Sequence, residues 1–125
     1  MGVVGFTGQV AEFHRSGKLR VLAVTSPAGM TVAPELPTAV EAGLPRLTTP
    51  MSNGLLAPAG TPKPIIEQVA QATRRTLAER AYQQMLIEGG FEPTPDSNPE
   101  KFRGALAADV ALWTPFVKAL GLKHD

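Results

Sequence analysis

The sequence predicts an α/β fold of short parallel strands with covering helices, and three stretches carry that expectation. Leu19 to Thr25 is apolar apart from Arg20, the near-continuous pattern of a parallel strand covered on both faces. Gly54 to Ala57 is a second short apolar run, closed by Pro58-Ala59-Gly60, residues that suit a turn. Beyond that turn, apolar positions from Ile65 to Leu77 recur at helical spacing, so strand, tight turn and helix follow one another. With a further strand and helix ahead of Leu19, the order implies right-handed crossovers.

In chain order, Val3, Val4 and Phe6 between glycines read as a buried strand, Val3 to Phe6, with Thr7-Gly8 as the turn leaving it. Gln9 to Ser16 reads as a short helix, Val10 and Phe13 lying three apart, with Gly17 suited to its C′ position. Ser26 to Pro37 contains three prolines and a glycine and reads as a loop with turns. Thr38, followed three residues later by Glu41, is a capping box, and Gly43 closes a helix of little more than one turn. Arg46 to Met51 is expected to be extended and irregular.

Thr61 is placed as N-cap and Pro62 at the first helical position of the next helix. Ile65, Ile66, Val69, Ala70, Thr73 and Leu77 share one face, while Glu67, Gln68, Gln71, Arg74 and Arg75 fall largely on the other, an amphipathic helix packed on a sheet. The helical stretch runs from Pro62 to Gly89 with a break near Glu79, and Gly89-Gly90 stops it where a left-handed residue is needed. Phe91-Glu92-Pro93 reads as a short edge strand and Thr94 to Asn98 as a loop. A last helix, Pro99 to Leu120, starts from Asn98 or Ser97 as cap and carries Phe102, Leu106, Val110, Trp113, Val117 and Leu120 on one face. Pro115 inside it is expected to kink or divide it, and Gly121 ends it.

A chain of 125 residues is one domain by length. Twelve basic and 11 acidic residues, net charge +1, give no electrostatic reason to expect nucleic acid or an anionic membrane as partner. The adjacent pair Arg74-Arg75 reads as the solvated face of a helix. With no cysteine, disulfides, zinc-thiolate sites and thiol catalysis are excluded. Met1 is followed by Gly-Val-Val-Gly-Phe without a basic region, so no signal peptide is read, and no run approaches the roughly 20 apolar residues of a membrane span.

No nucleophile with a base, paired carboxylates or metal-ligand cluster has supporting spacing, so catalysis, a cofactor and a metal are not expected. His14, beside Arg15 at a helix end, and His124 in the tail read as structural. Glu12, Glu35 and Glu41 are separated by loops and do not read as a carboxylate metal site. The spacing of Gly2, Gly5 and Gly8 is not the dinucleotide fingerprint. Tyr82, Phe102, Trp113 and Phe116 sit at helical spacing and read as core. A ligand reading competes at Phe6-Thr7-Gly8-Gln9, where a strand's carboxyl end meets a helix N-terminus able to hold an anion. Thr7 and Gln9 add side-chain hydrogen bonds there; the alternative is that Thr7 merely caps the helix, and the residues leave both open.

Three blocks carry a resemblance: Gly17-Lys18-Leu19-Arg20-Val21-Leu22-Ala23-Val24-Thr25-Ser26, Leu36-Pro37-Thr38-Ala39-Val40-Glu41-Ala42-Gly43-Leu44-Pro45, and Gly54-Leu55-Leu56-Ala57-Pro58-Ala59-Gly60-Thr61-Pro62. In that order, and continued by Gly89-Gly90-Phe91-Glu92-Pro93 and the helix with Trp113, they resemble the C-terminal portion of the tripartite tricarboxylate transporter receptors, the Bug family of periplasmic solute-binding proteins. The resemblance implies a type II periplasmic-binding-protein-like fold, whose two α/β lobes close on a small organic anion, commonly a carboxylate. Residues 1–60 would form part of the second lobe and the crossover, and residues 61–125 a C-terminal helical segment packing on the first lobe. Phe6, Thr7, Gly8 and Gln9 would be the ligand-binding loop, the location periplasmic, and membrane transporter subunits the partners of the full-length protein. The sequence departs from the family at Met51-Ser52-Asn53, where many relatives carry an aromatic.

A rival reading is a free-standing α/β domain that acts through self-association or a protein partner instead of binding solute. Short of covering strands, the faces Ile65-Val69 and Phe102-Leu106-Trp113 would lie open to water, so a homodimer is expected of the isolated chain.

Overall fold

Four helices appear in the computed structural model, which describes residues 3, 5–49 and 51–121: α1 (Gly8–Arg15), α2 (Lys63–Ala78), α3 (Arg80–Glu88) and α4 (Pro99–Ala119). The chain divides into two compact units, one of Met1–Leu55 with Arg75–Pro95, the other of Leu56–Arg74 with Asp96–Asp125.

The first unit is organised around a small core. Ala11 of α1 packs with Val24, Ala33 and Leu36, and Phe6, Val21, Met30 and Val32 close around them. The Ser26 to Pro37 loop is a loop as expected, yet it supplies the core: Ala33 is 0% and Leu36 5% exposed. Its turns are tied by Ala33 N–H to Met30 O (3.1 Å) and Leu36 N–H to Ala33 O (3.1 Å), which turn these side chains inward.

The expected strands do not form among the described residues, and the α/β detail of the sequence reading is corrected accordingly. At Leu19 to Thr25 there is one isolated parallel bridge, Val24 to Thr38. Val24 N–H donates to Pro37 O (2.9 Å) and Ala39 N–H to Val24 O (2.8 Å). A parallel ladder would next take Ser26 N–H to the Ala39 carbonyl and Glu41 N–H to the Ser26 carbonyl, but the Ala39 oxygen accepts Leu44 N–H (2.8 Å) and Glu41 N–H donates to Thr38 Oγ1 (3.1 Å). The neighbouring segment has already turned away, so the ladder stops after one pair.

It turns because the capping box is real. Thr38 N–H and Oγ1 both donate to Glu41 Oε2 (2.8 and 2.9 Å), and Glu41 N–H donates to Thr38 Oγ1 (3.1 Å). Leu44 N–H to Ala39 O and Gly43 N–H to Val40 O then close the segment as a Schellman motif. The result is a turn rather than the short helix expected, since start and stop signals lie only five residues apart.

At Gly54 to Ala57 no backbone hydrogen bond forms among the described residues, and Leu55 and Leu56 are 71% and 79% exposed, not buried on two faces. Of the Val3 to Phe6 strand, Val4 lies outside the described residues, while Val3, Gly5 and Phe6 are irregular. Phe91-Glu92-Pro93 is irregular as well.

The break near Glu79 stands where the pattern placed it. Glu79 is extended (φ −75°, ψ 123°) between α2 and α3, and Gln83 Nε2 donates to Leu77 O (2.7 Å), one of the orphan carbonyls at the end of α2. The start of α2 differs from expectation. Thr61 does not cap it: Pro64, three residues on, has no N–H to donate, and Thr61 Oγ1 donates instead to Pro58 O (2.8 Å). α2 buries no residue, so its expected packing on a sheet is not observed.

In the second unit α4 begins as read, with Asn98 Oδ1 accepting Lys101 N–H (2.9 Å) and Pro99 in the first turn. The helix continues undivided through Pro115 to Ala119. Thr114 Oγ1 donates to Val110 O (2.5 Å), which supplies a hydrogen bond in the turn that Pro115 weakens. α4 buries no residue; Val110 is 60% and Leu120 72% exposed.

Candidate functional site

The tip of α1 is built from backbone more than from side chains. Thr7 is extended (φ −138°, ψ 164°) and caps the helix: its carbonyl accepts Val10 N–H (3.0 Å) and Ala11 N–H (3.3 Å), and Oγ1 also faces Val10 N–H at 3.4 Å. Gly8 N–H donates to Gly89 O, 3.2 Å away at the end of α3. Among the helical amides of the first turn, Gln9 remains: neither its N–H nor its exposed side-chain amide has a partner among the described residues. Phe6 is half-buried and packs into the core, so its ring serves the scaffold.

The close approach of α1 and α3 depends on two glycines. A Cβ on Gly8 would run into the Glu88 carbonyl oxygen, and one on Gly90 would stand 2.8 Å from Thr7 Cα and 2.9 Å from Thr7 C. Gly90 also has φ +89°, a conformation that L side chains rarely adopt.

Beside the tip lies an open depression of about 780 Å³, bordered by Gln9, Glu12, Phe13, Arg15, Lys18 and Glu88. Its cations are engaged. Arg15 Nε donates to Glu35 Oε1 (2.9 Å) and Nη2 to Val32 O (2.6 Å), while Lys18 Nζ lies 5.4 Å from the Phe13 ring centroid. The hydrogen bond from Arg15, followed by a backbone one, holds the Glu35 carboxyl below its ordinary range. His14 is structural, its Nδ1 accepting Val21 N–H (3.2 Å). His124 lies outside the described residues.

One clasp escaped the sequence reading. Glu92 accepts both Thr31 N–H (2.6 Å) and Thr31 Oγ1 (2.8 Å), fixing the turn after α3 to the core loop. The partners are 61 residues apart, and nothing in either neighbourhood announces the pairing.

The sequence matches the family described as "Tripartite tricarboxylate transporter family receptor" over residues 2–122. Protein BugT of Bordetella pertussis is 31% identical over 114 residues, covering 91% of this chain and 35% of BugT. A UPF0065 protein of Bordetella bronchiseptica is 31% identical over 93 residues, 74% of this chain and 28% of its own. Another, from Bordetella pertussis, is 30% identical over 109 residues, 87% of this chain and 33% of its own. The chain therefore spans about a third of the length of these relatives. The family is one of periplasmic solute receptors, not of enzymes, with a periplasmic-binding-protein-like fold. With nearly every residue inside the match, the chain belongs to the tripartite tricarboxylate transporter receptor family.

Proposed function

We propose that this chain contributes to a periplasmic receptor that binds a small organic anion, a carboxylate, for a tripartite tricarboxylate-type transporter, its membrane subunits being the partners of the full-length protein. Phe6, Thr7, Gly8 and Gln9 are its share of the solute site; residues 1–60 belong to the second lobe and crossover, residues 61–125 to the helical segment packing on the first. The observation that carries this reading is Gln9, whose backbone N–H and side-chain amide stand without a partner among the described residues at a helix N-terminus, while Gly8 and Val10 are engaged. A carboxylate oxygen there would accept both donors in the positive end of the helix dipole.

Gln9→Ala removes one of those donors from an exposed position. It is expected to weaken binding of succinate or citrate in the receptor roughly five- to tenfold, the worth of one hydrogen bond, and to shift stability by no more than about 0.5 kcal/mol. Calorimetric titration beside thermal unfolding checks both: unchanged affinity with a lowered melting temperature would make the loop purely structural. A screen of succinate, citrate and benzoate by thermal shift tests the solute class, since a ligand of the native state raises stability by mass action.

The exposed face of α4 favours a second reading for the isolated chain, self-association into a homodimer. Leu106, Val110, Trp113, Val117 and Leu120 lie open to water along one helix, and apolar surface favours burial by about 25 cal/mol per Å². Light scattering is expected to give twice the chain mass at micromolar concentration. Val110→Glu, at the middle of the face, should return it to a monomer; a monomeric parent chain that binds no hydrophobic dye would contradict this reading.

A further inference from the structure

The tip of α1 is held by an approach that only glycine permits, and we infer that the turn Glu88–Gly90 at the end of α3 is the positioning element of the Phe6–Gln9 loop, with Gly90 its determining residue. As it bears on ligand, the inference rests on the solute reading above. The turn is rigid in its own right: Gly90 N–H donates to Ile87 O (2.9 Å) and Phe91 N–H to Leu86 O (2.9 Å), a Schellman closure. Two residues on, Glu92 is anchored to Thr31. Against this support lie Thr7 and Gly8, the first through van der Waals contact with the buried Gly90, the second through its N–H on Gly89 O. The carbonyl end of α3 thereby engages the first amide of α1, and Gln9 N–H is the next donor along. Where α3 ends decides where that donor points.

Three variants of the 125-residue chain, read by amide hydrogen exchange, separate positioning from strain. Gly17, at the other end of α1, shares the positive φ (+74°) but has nothing within 4 Å of its Cβ, so Gly17→Ala matches the strain without touching the loop. Gly90→Asn relieves the strain, because Asn tolerates positive φ, but still places a Cβ against Thr7. Gly90→Ala and Gly90→Asn are both expected to speed exchange at Val10 and Ala11 roughly tenfold or more relative to Gly17→Ala. Equal rates in Gly90→Ala and Gly17→Ala, or recovery in Gly90→Asn, would overturn the positioning role. Should the Gly90 variants not fold, the parent chain decides: Gly8 N–H is expected to exchange at least roughly tenfold more slowly than Gln9 N–H, and comparable rates would refute the clasp. A citrate titration of the full-length receptor carrying the same substitutions reads the ligand part, with Gly90→Ala weakening binding about tenfold and Gly17→Ala less than about twofold. If citrate does not bind the parent full-length receptor, the solute reading is what has failed, and the exchange rates still settle the positioning.

Discussion

Leu36→Ala is expected to lower the stability of the first unit by roughly 2–5 kcal/mol, the range for truncating a buried leucine. Leu36 is 5% exposed and the largest side chain in a cluster completed by Ala11, Val24 and Ala33. Two of the three buried neighbours, Ala11 and Ala33, are alanines, which have no rotamers with which to refill the cavity. Leu112→Ala is the comparison. That leucine is 48% exposed on α4, and its truncation should change stability by less than about 0.5 kcal/mol. Urea unfolding followed by circular dichroism measures both. Equal effects would mean that the core is not where Ala33 and Leu36 place it.

Thr38→Val should cost about 0.5–2 kcal/mol at neutral pH, the worth of an N-cap side chain, although it keeps the shape of a side chain that is nearly buried. It removes the acceptor of Glu41 N–H and one of the two donors on Glu41 Oε2. Those donors, the Thr38 backbone N–H first and the hydroxyl second, hold the Glu41 carboxyl below its ordinary value. A carboxyl with a lowered folded-state pKa stabilises the fold above its unfolded-state value, and the contribution disappears as pH falls through the folded one. Stability is therefore expected to fall on acidification from the ordinary carboxylate range downward, and Thr38→Val should show a shallower fall than the parent. Glu35 with Arg15 and Asp96 with Lys101 add to the same slope with the same sign. A Thr38→Val slope as steep as the parent's would mean that the capping box does not couple to pH.

Local signals in the sequence were reliable where the partners lie within a few residues. Thr38 and Glu41, Asn98 as cap, Gly17 and Gly90 as helix ends and the break at Glu79 all depend on contacts inside one turn, and each is found in place. The strands were misread because a strand is a property of two segments. Leu19 to Thr25 has the composition of a buried strand, but its neighbour turns away at Ala39, and Leu55 and Leu56 form no backbone hydrogen bond among the described residues. Pro64 shows a different failure, a cap signal cancelled by a missing donor three positions on. Within the candidate site, the capping role of Thr7 could be read from its place before a helix. The approach of Gly8 to Gly90 could not, since each glycine already had a local explanation as a turn residue.

The pair Thr31 and Glu92 sets an order of events during synthesis. The two residues are 61 positions apart, and the first unit takes its second part, Arg75–Pro95, from beyond a stretch assigned to the other unit. A ribosome adding about 5–20 residues per second needs roughly 3–12 s to travel from one partner to the other. During that interval the loop holding Ala33 and Leu36 has been made while Gly89 and Glu92 have not, so α1 starts without the carbonyl that takes Gly8 N–H. The nascent chain thus passes through a stage in which the core loop lacks its Glu92 anchor and the tip of α1 its Gly89 support, and completion of the first unit is timed by translation as well as by the sequence itself.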